Sequence, residues 1–259
     1  MGNREEHSLP AFLLNSIPKS GTHLLKQILL GIPGMKHYPD KGMFGHYEYQ
    51  TDIQINRAKN LEDDEFINGH LFYSNKWEEF FNDINMKQVF VIRDPRDIVV
   101  SYAHFIPTLP IHPLYATFTQ KGFTHRDRIK FLIEGGQPID PRVAYQPNVN
   151  DWFTGFSEWM VKYNVLTIRF EDILSSPLTK LKTVNKIVQF LWDGRRVPGT
   201  SPIMVKKMIQ NIDPISSPTY RKGKIGGWRK ELDTDLKDTF KNIAGDLLIS
   251  LNYEKDHNW

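Results

Sequence analysis

Residues 11–30 read AFLLNSIPKSGTHLLKQILL and combine three local patterns in a fixed order. The segment 11–16 has the length and apolar content of a short buried strand. Gly21 interrupts the chain, and from Thr22 onward apolar residues recur at helical spacing until Gly31. A strand, a glycine loop and a helix in this order are typical of α/β folds, in which such a loop follows the carboxyl end of a strand.

Other parts of the chain repeat the alternation of strand and helix patterns. Ser176 and Pro177 fit the cap and first turn of a long amphipathic helix. Further strands are expected at three apolar runs: 66–71, 89–92 and 165–168. These patterns predict an α/β fold with a central parallel β-sheet flanked by helices and a P-loop-like strand–loop–helix unit. We expect a polar tail over 1–10 and a single domain over 11–259.

Two segments show no clean period. Residues 34–65 mix aromatic and charged residues, and residues 106–150 contain six prolines. Long irregular stretches inside a compact domain are often functional loops. We therefore expect both segments to be irregular and to cover a substrate.

Composition excludes several classes of protein. The chain has 259 residues, 40% of them hydrophobic and 24% charged, which is a normal globular balance. It contains no cysteine, so disulfides, thiolate catalysis and Cys-ligated metals are excluded. A net charge of +3 is too small to indicate nonspecific nucleic-acid binding. No apolar run approaches the ~18 residues of a membrane span, and the first residues lack an apolar signal region, so we expect a cytoplasmic protein.

The loop Pro18–Thr22 has the chemistry of an anion site. Backbone N–H groups at a helix start point toward whatever occupies such a loop. Lys19 adds charge, Ser20 and Thr22 add hydroxyl groups, and Gly21 permits close approach. It is not a Walker A loop, because Lys19 precedes the glycine instead of following it. An ordinary strand-to-helix turn with a capping Thr stays open as the alternative.

Two further segments carry groups suited to phosphate. Arg93 follows the strand at 89–92, and Ser101 lies about two helical turns later, so both can face one phosphate. The segment 220–229 is a basic, glycine-rich loop that begins Tyr-Arg-Lys-Gly and can fold over a polyanion.

These three segments, in this order, resemble those of the PAPS-dependent sulfotransferase family, which uses 3′-phosphoadenosine 5′-phosphosulfate (PAPS) as donor and releases adenosine 3′,5′-bisphosphate (PAP). The resemblance spans roughly residues 11–230. It implies one α/β domain, with PAPS as co-substrate and no metal required. It also implies that Phe170 lies beside the adenine. The donor-binding residues carried over are Lys19, Ser20, Gly21, Thr22, His23, Arg93, Ser101, Phe170, Arg221, Lys222 and Gly223.

The resemblance also assigns catalytic roles. Lys19 is expected to meet the charge that grows on the leaving phosphate oxygen. Ser101 is also counted among the catalytic residues. His70 is the candidate general base, since histidine titrates near neutrality, with Glu48 held in reserve. The chain departs from the family where Asn68 replaces a frequent Lys and His23 replaces a usual Thr.

The acceptor is expected to be a small molecule with a hydroxyl or amine group. The sequence indicates no nucleic-acid partner and no membrane span, and it leaves the oligomeric state open. No His/Asp/Glu cluster at metal-ligand spacing stands out. Two alternatives remain at this point: a P-loop-type nucleotide kinase, and a non-catalytic nucleotide-binding module.

Overall fold

The computed structural model describes residues 8–38, 41–44, 51–213 and 223–259. Contacts divide the chain into two compact units: Met1–Ile92 with Phe156–Gly223, and Arg93–Gly155 with Lys224–Trp259. In the described ranges, no helix is both long enough and apolar enough to cross a membrane.

The first unit contains a sheet whose strands all run parallel. Its strands are β1 (Phe12–Ser16), β2 (Lys36–His37), β3 (Met43–Phe44), β4 (Glu65–His70), β5 (Lys87–Ile92) and β6 (Val165–Arg169). Their order is β2-β4-β1-β5-β6. The strand β3 also pairs with β4, at Gly69 and His70, whereas β2 pairs with the first two residues of β4. In this register Asn15 lies opposite Gly69, and Ser16 opposite Val91. The carboxyl ends of the central strands therefore share one edge of the sheet, where open α/β sheets bind their ligands.

Helices of the first unit cover the sheet with apolar side chains. They are α1 (Thr22–Leu30), α2 (Thr51–Lys59), α3 (Asn75–Asp83), α8 (Phe170–Leu174), α9 (Pro177–Leu191) and α10 (Ser201–Gln210). In α1 the buried residues Leu25, Ile28 and Leu29 recur at helical spacing and join a core cluster with residues of β1, β5, α9 and α10. This packing holds the start of α1 at the carboxyl end of β1.

The second unit is helical. It contains α4 (Pro95–Phe105), α5 (Tyr115–Thr119), α6 (His125–Glu134) and α11 (Thr234–Ser250), together with most of α7 (Val149–Ser157). The α4 helix begins at the N-cap Asp94, with Pro95 in its first turn. A short 3₁₀ helix, Gly227–Lys230, follows the basic glycine-rich loop.

The predicted α/β class with a parallel sheet is confirmed, and each predicted strand lies within two residues of its observed position. The predicted helix capped by Ser176 is α9, and the Ser176 side chain accepts from the Thr179 N–H. The expectation of irregular structure is wrong for α2 in 34–65, and for α5 and α6 in 106–150. The α6 helix forms because Thr124 and Asp127 make a reciprocal capping box at its start. The single-domain boundary at 11–259 stays a prediction.

Candidate active site

The loop between β1 and α1 has the backbone shape of an anion cradle. Lys19 has φ 68° and Gly21 has φ 106°, so two of its residues adopt left-handed conformations. Turns of this kind form anion-binding concavities from backbone N–H groups. Among the described residues, no side chain caps the start of α1, and its first turn carries no acidic group. The N–H groups and dipole of this helix end are therefore available to an external anion.

Positive groups gather at the same helix end. The pKa of His23 is lowered from 6.5 to about 4, first by burial and then by the charges of Lys26, Lys19 and His37. His23 is thus neutral at pH 7. The charges of Lys19 and Lys26 beside His23 favour a bound anion at this site. Its donor set therefore fits a phosphosulfate or phosphate group.

Two hydroxyl groups of the loop are engaged within the protein. The buried Ser20 hydroxyl lies 2.6 Å from the Ile17 carbonyl oxygen and 2.9 Å from that of Val91, and the Ser20 N–H also bonds Ile17. These bonds fix the loop on β5. The hydroxyls of Thr22 and Ser16 lie 2.7 Å apart. Ser20 thus forms part of the loop's framework in this structure, a role that its sequence position does not distinguish from ligand binding.

His70 is the last residue of β4, and its ring is held against β1. Its Nδ1 lies 2.8 Å from the Ser16 carbonyl oxygen and 3.2 Å from the Ser16 hydroxyl. A carbonyl only accepts, so we assign the proton to Nδ1, which places the lone pair of the neutral ring on Nε2. That is the tautomer a general base needs when it acts through Nε2.

Asn15 sets the position of His70, and sequence reasoning overlooked it. Its buried side-chain oxygen Oδ1 accepts from the N–H groups of Ser16 and Leu71, each at 2.9 Å. The Leu71 carbonyl in turn accepts from the Trp159 indole at 3.0 Å. These bonds hold Ser16, the partner of His70, and Leu71, the residue after His70, in place. The polar residues Asn15 and Ser16, at the end of an apolar strand pattern, were the only sequence signal for this set of hydrogen bonds.

Asn68, where the family often has Lys, is paired with His37 of β2. The His37 Nε2 lies 2.6 Å from the Asn68 side-chain oxygen, which only accepts, so His37 carries a proton on Nε2. Asn68 and His70 are two residues apart in β4 and therefore share one face of the sheet. The pairing with His37 orients the Asn68 amide on the face that carries His70.

Phe170 packs directly on the anion loop. A Cβ added to Gly21 would lie 2.4 Å from Phe170 Cδ2, and only 5% of Phe170 is exposed. The absence of a side chain at Gly21 is thus required both by its φ of 106° and by this contact. Phe170 is placed next to the loop, as the first residue of α8.

In the second unit, Arg93 and the glycine-rich loop are joined through Asp97. Arg93 donates to the Lys224 carbonyl oxygen at 3.0 Å and lies 3.5 Å from the Asp97 carboxylate. The buried Asp97 accepts from the N–H groups of Gly226 and Trp228 at 2.8 and 3.0 Å. The segment that begins at Arg93 therefore contacts the basic, glycine-rich loop over Lys224–Trp228.

Ser101 is half-buried in α4, two turns along from Arg93. Gly223 is exposed with φ 53°, a conformation in which glycine carries no Cβ penalty. Three candidates, Arg221, Lys222 and Glu48, lie outside the described residues.

Arg96 has a structural role that the sequence did not reveal. Its side chain is 1% exposed and bonds Asp94 at 2.8 Å and Glu254 at 2.6 Å. Its guanidinium lies 3.9 Å from the centre of the Trp228 ring and 4.4 Å from that of Trp259. This arginine fixes the C-terminal residues on α4.

Comparison with known proteins gives a consistent set of matches. A family model described as a sulfotransferase domain matches residues 9–252. Human Sulfotransferase 6B1 is 24% identical over 264 residues, covering 93% of this chain and 79% of that protein. Mouse Sulfotransferase 1A1 is 27% identical over 192 residues, covering 66% and 58%.

Two solved structures share the fold. One is a mouse sulfotransferase, SULT7A1, complexed with PAP, which matches with a TM-score of 0.64 and 18% identity over 92% of this chain and 84% of that one. The other is a retinol dehydratase in complex with androsterone and the inactive cofactor PAP, with a TM-score of 0.61, 15% identity and coverage of 92% and 80%.

Proposed function

The chain belongs to the sulfotransferase domain family, and from that membership we propose that it transfers a sulfuryl group from PAPS to a hydroxyl group of a small-molecule acceptor. When bound, PAPS supplies the activated sulfuryl group. Family membership sets aside the nucleotide-kinase alternative. A non-catalytic nucleotide-binding module remains the alternative that experiment must separate from an enzyme.

The observation that carries the proposal is the bond from His70 Nδ1 to the Ser16 carbonyl oxygen, at 2.8 Å. It leaves Nε2 as the acceptor of the neutral ring, on the strand next to the one that leads into the anion loop. As the acceptor oxygen bonds to sulfur, its proton passes to His70 Nε2, and the bond from sulfur to the phosphate oxygen breaks. His70 then returns the proton to solvent.

Lys19 and the start of α1 are proposed to stabilise the leaving phosphate. The charge that grows on the departing oxygen is met by the Lys19 ammonium group and by backbone N–H groups of the loop. The pKa of His23, lowered first by burial and then by the charges of Lys26 and Lys19, supports this assignment, because it indicates that the Lys19 charge acts near the start of α1. Neutral His23 adds a hydrogen bond without competing for the charge, and Ser20 holds the loop in shape.

The remaining donor contacts are proposed at Arg93 and Ser101, at residues 221–223 and on α8. Arg93 and Ser101 are assigned to the 3′-phosphate of PAPS, since arginine binds phosphate oxygens through a planar fork of donors. Gly223, with Arg221 and Lys222, is assigned to the loop that covers this phosphate. Phe170 is assigned to the nucleotide side of the anion loop, on which it packs.

A hydroxyl group on an apolar skeleton is the acceptor that the surroundings of His70 favour. The centre of the Phe44 ring in β3 lies 5.8 Å from that of the His70 ring. An apolar surface next to the base suits an alcohol or a phenol of this kind. The neighbour complexed with androsterone supports this choice, because the same fold accommodates such a molecule there.

The test is transfer of label from radioactive PAPS to a panel of alcohols that includes retinol and androsterone, with wild type and His70→Asn. Asparagine keeps a donor for the Ser16 carbonyl and lacks the Nε2 base. We expect turnover to fall roughly 10²–10⁴-fold, with PAP affinity unchanged. The exposed His257→Asn serves as the matched control.

Near-normal turnover of His70→Asn on an aliphatic alcohol would refute the base assignment, and Glu48→Gln would then be tested. Tight PAP binding by the wild type, without transfer to any acceptor, would support the non-catalytic module instead.

A further inference from the structure

Two histidines and a glutamate converge in the second unit, at a place that the transfer mechanism does not use. His104 Nε2 and His125 Nε2 lie 2.6 and 2.9 Å from the same carboxylate oxygen of Glu231. The three ligand atoms all lie within 4.8 Å of one another. The histidines are separated from Glu231 by 127 and 106 residues, so sequence spacing does not reveal the cluster.

The cluster is held in place from two sides. Asp97 and His104 lie seven residues apart in α4, about two turns, so they share one face of the helix. Asp97 binds the Gly226 and Trp228 N–H groups, which brings the chain leading to Glu231 onto that face.

Next to His125, at the start of α6, Arg126 bonds Asp233 at 2.7 Å and also bonds Asp235. The segment that carries Glu231 is therefore bonded both to α4 and to the start of α6. Three ligands on separate elements are positioned before any ion arrives, which lowers the ordering cost of binding.

We propose that His104, His125 and Glu231 form a binding site for a divalent transition-metal ion of the Zn²⁺ type. Two imidazole nitrogens and one carboxylate oxygen are ligands that zinc accepts in tetrahedral sites at about 2.0–2.2 Å. Such a geometry separates neighbouring ligand atoms by about 3.4 Å. The observed separations reach it through side-chain shifts of roughly an ångström.

The two rings lie close enough to share one ion, since their centroids are 3.9 Å apart. Without an ion, each Nε2 must carry a proton to bond the carboxylate. With an ion, both rings are neutral, carry their protons on Nδ1 and coordinate through Nε2, and the carboxylate offsets one of the two positive charges.

The bound ion links α4, α6 and the segment after the 3₁₀ helix. His104 and His125 side chains are 37% and 34% exposed, so water reaches the site and fills the fourth coordination position. Since Ser101 lies one turn from His104 on α4, the ion stiffens the helix that carries Ser101.

The experiment measures Zn²⁺ binding by the full chain, without an affinity tag, by competition with a chromophoric chelator. Co²⁺ substitution gives a second readout through its visible d–d absorption. The variants are Glu231→Gln, which keeps the shape of the side chain, and His125→Gln. The matched control is His257→Gln, because His257 pairs with Asp246 at 3.0 Å as an isolated histidine–carboxylate pair in the same unit.

We expect wild type and His257→Gln to bind one equivalent with equal affinity, and both site variants to bind at least about tenfold more weakly. At a hundred times the wild-type Kd, Zn²⁺ should raise the wild-type Tm by roughly 5 °C and that of Glu231→Gln by about half as much or less. Metal-free Tm values show that the variants fold. Absence of Zn²⁺ binding, or equal binding by wild type and Glu231→Gln, would overturn the proposal and leave a hydrogen-bonded trio.

Discussion

Replacing Gly21 by alanine introduces two separate penalties in the anion loop. The first is conformational: φ is 106° at Gly21, and a side chain in this region costs about 1–2 kcal/mol. The second is steric: the new Cβ would lie 2.4 Å from Phe170 Cδ2, far inside van der Waals contact. Overfilling a packed site of this kind costs about 1–3 kcal/mol. The sum predicts a loss of about 2–5 kcal/mol in the free energy of unfolding.

Gly34→Ala is the matched control. Gly34 has φ 86°, and a Cβ there meets nothing within 4 Å, so only the conformational penalty of about 1–2 kcal/mol remains. Urea unfolding of both variants therefore isolates the contact with Phe170. In a Phe170→Val background the clashing ring atoms are gone, and the cost of Gly21→Ala should fall to that of Gly34→Ala.

Equal costs for Gly21→Ala and Gly34→Ala would refute this reasoning. So would an unchanged cost of Gly21→Ala in the Phe170→Val background, because the double-mutant cycle would then show no coupling between the two positions. Either result would mean that Phe170 does not pack on the loop as described.

Three further predictions concern charge and pH. Lys19→Met removes the charge but keeps the Cβ and much of the stem, so kcat should fall at least roughly 10²-fold while the affinity for the donor PAPS changes little. Normal kcat with a raised donor KM would make Lys19 a simple ground-state ligand. Arg93→Ala should weaken PAP binding by roughly 2–4 kcal/mol in calorimetry, and unchanged affinity would remove Arg93 from the donor site. The pKa of His23 is about 4 in the folded chain and returns to the ordinary histidine value of 6.5 on unfolding. Between these pH values the unfolded chain binds more protons than the folded chain. The free energy of unfolding should therefore fall as the pH drops from 6.5 toward 4. His23→Gln should flatten this part of the urea-midpoint profile; an identical profile would contradict the depressed pKa.

The central strands and the anion loop were predictable because their signals are local. Residues 11–30 specify a buried strand, a glycine break and an apolar helix face within one short window. The same holds for α9, where the N-cap Ser176 precedes a regular apolar period. By contrast, β2 and β3 have two residues each and are defined by their pairing with β4, which no local pattern reports.

Side-chain partners in the candidate site were less accessible to sequence reasoning. The sequence indicates that His70 ends a strand, but its bond to the Ser16 carbonyl depends on the parallel register of β1 and β4. The contact of Phe170 with Gly21 joins positions 149 residues apart, and the His104–Glu231 pair joins positions 127 apart. Such contacts follow from chain topology, so a sequence names the residue types without naming the partners.

Calorimetric titration with PAP, compared with ATP plus Mg²⁺, tests the central claim most directly. Separate anion groups are assigned to the two phosphates of PAP, namely the loop at Lys19 and the pair Arg93 and Ser101. Since one charge-assisted contact contributes about 1.5–3 kcal/mol, PAP should bind at least about tenfold more tightly than ATP, and it should do so in EDTA. ATP binding as tightly as PAP, or loss of PAP binding in EDTA, would contradict the assignment of this chain as a PAPS-dependent sulfotransferase.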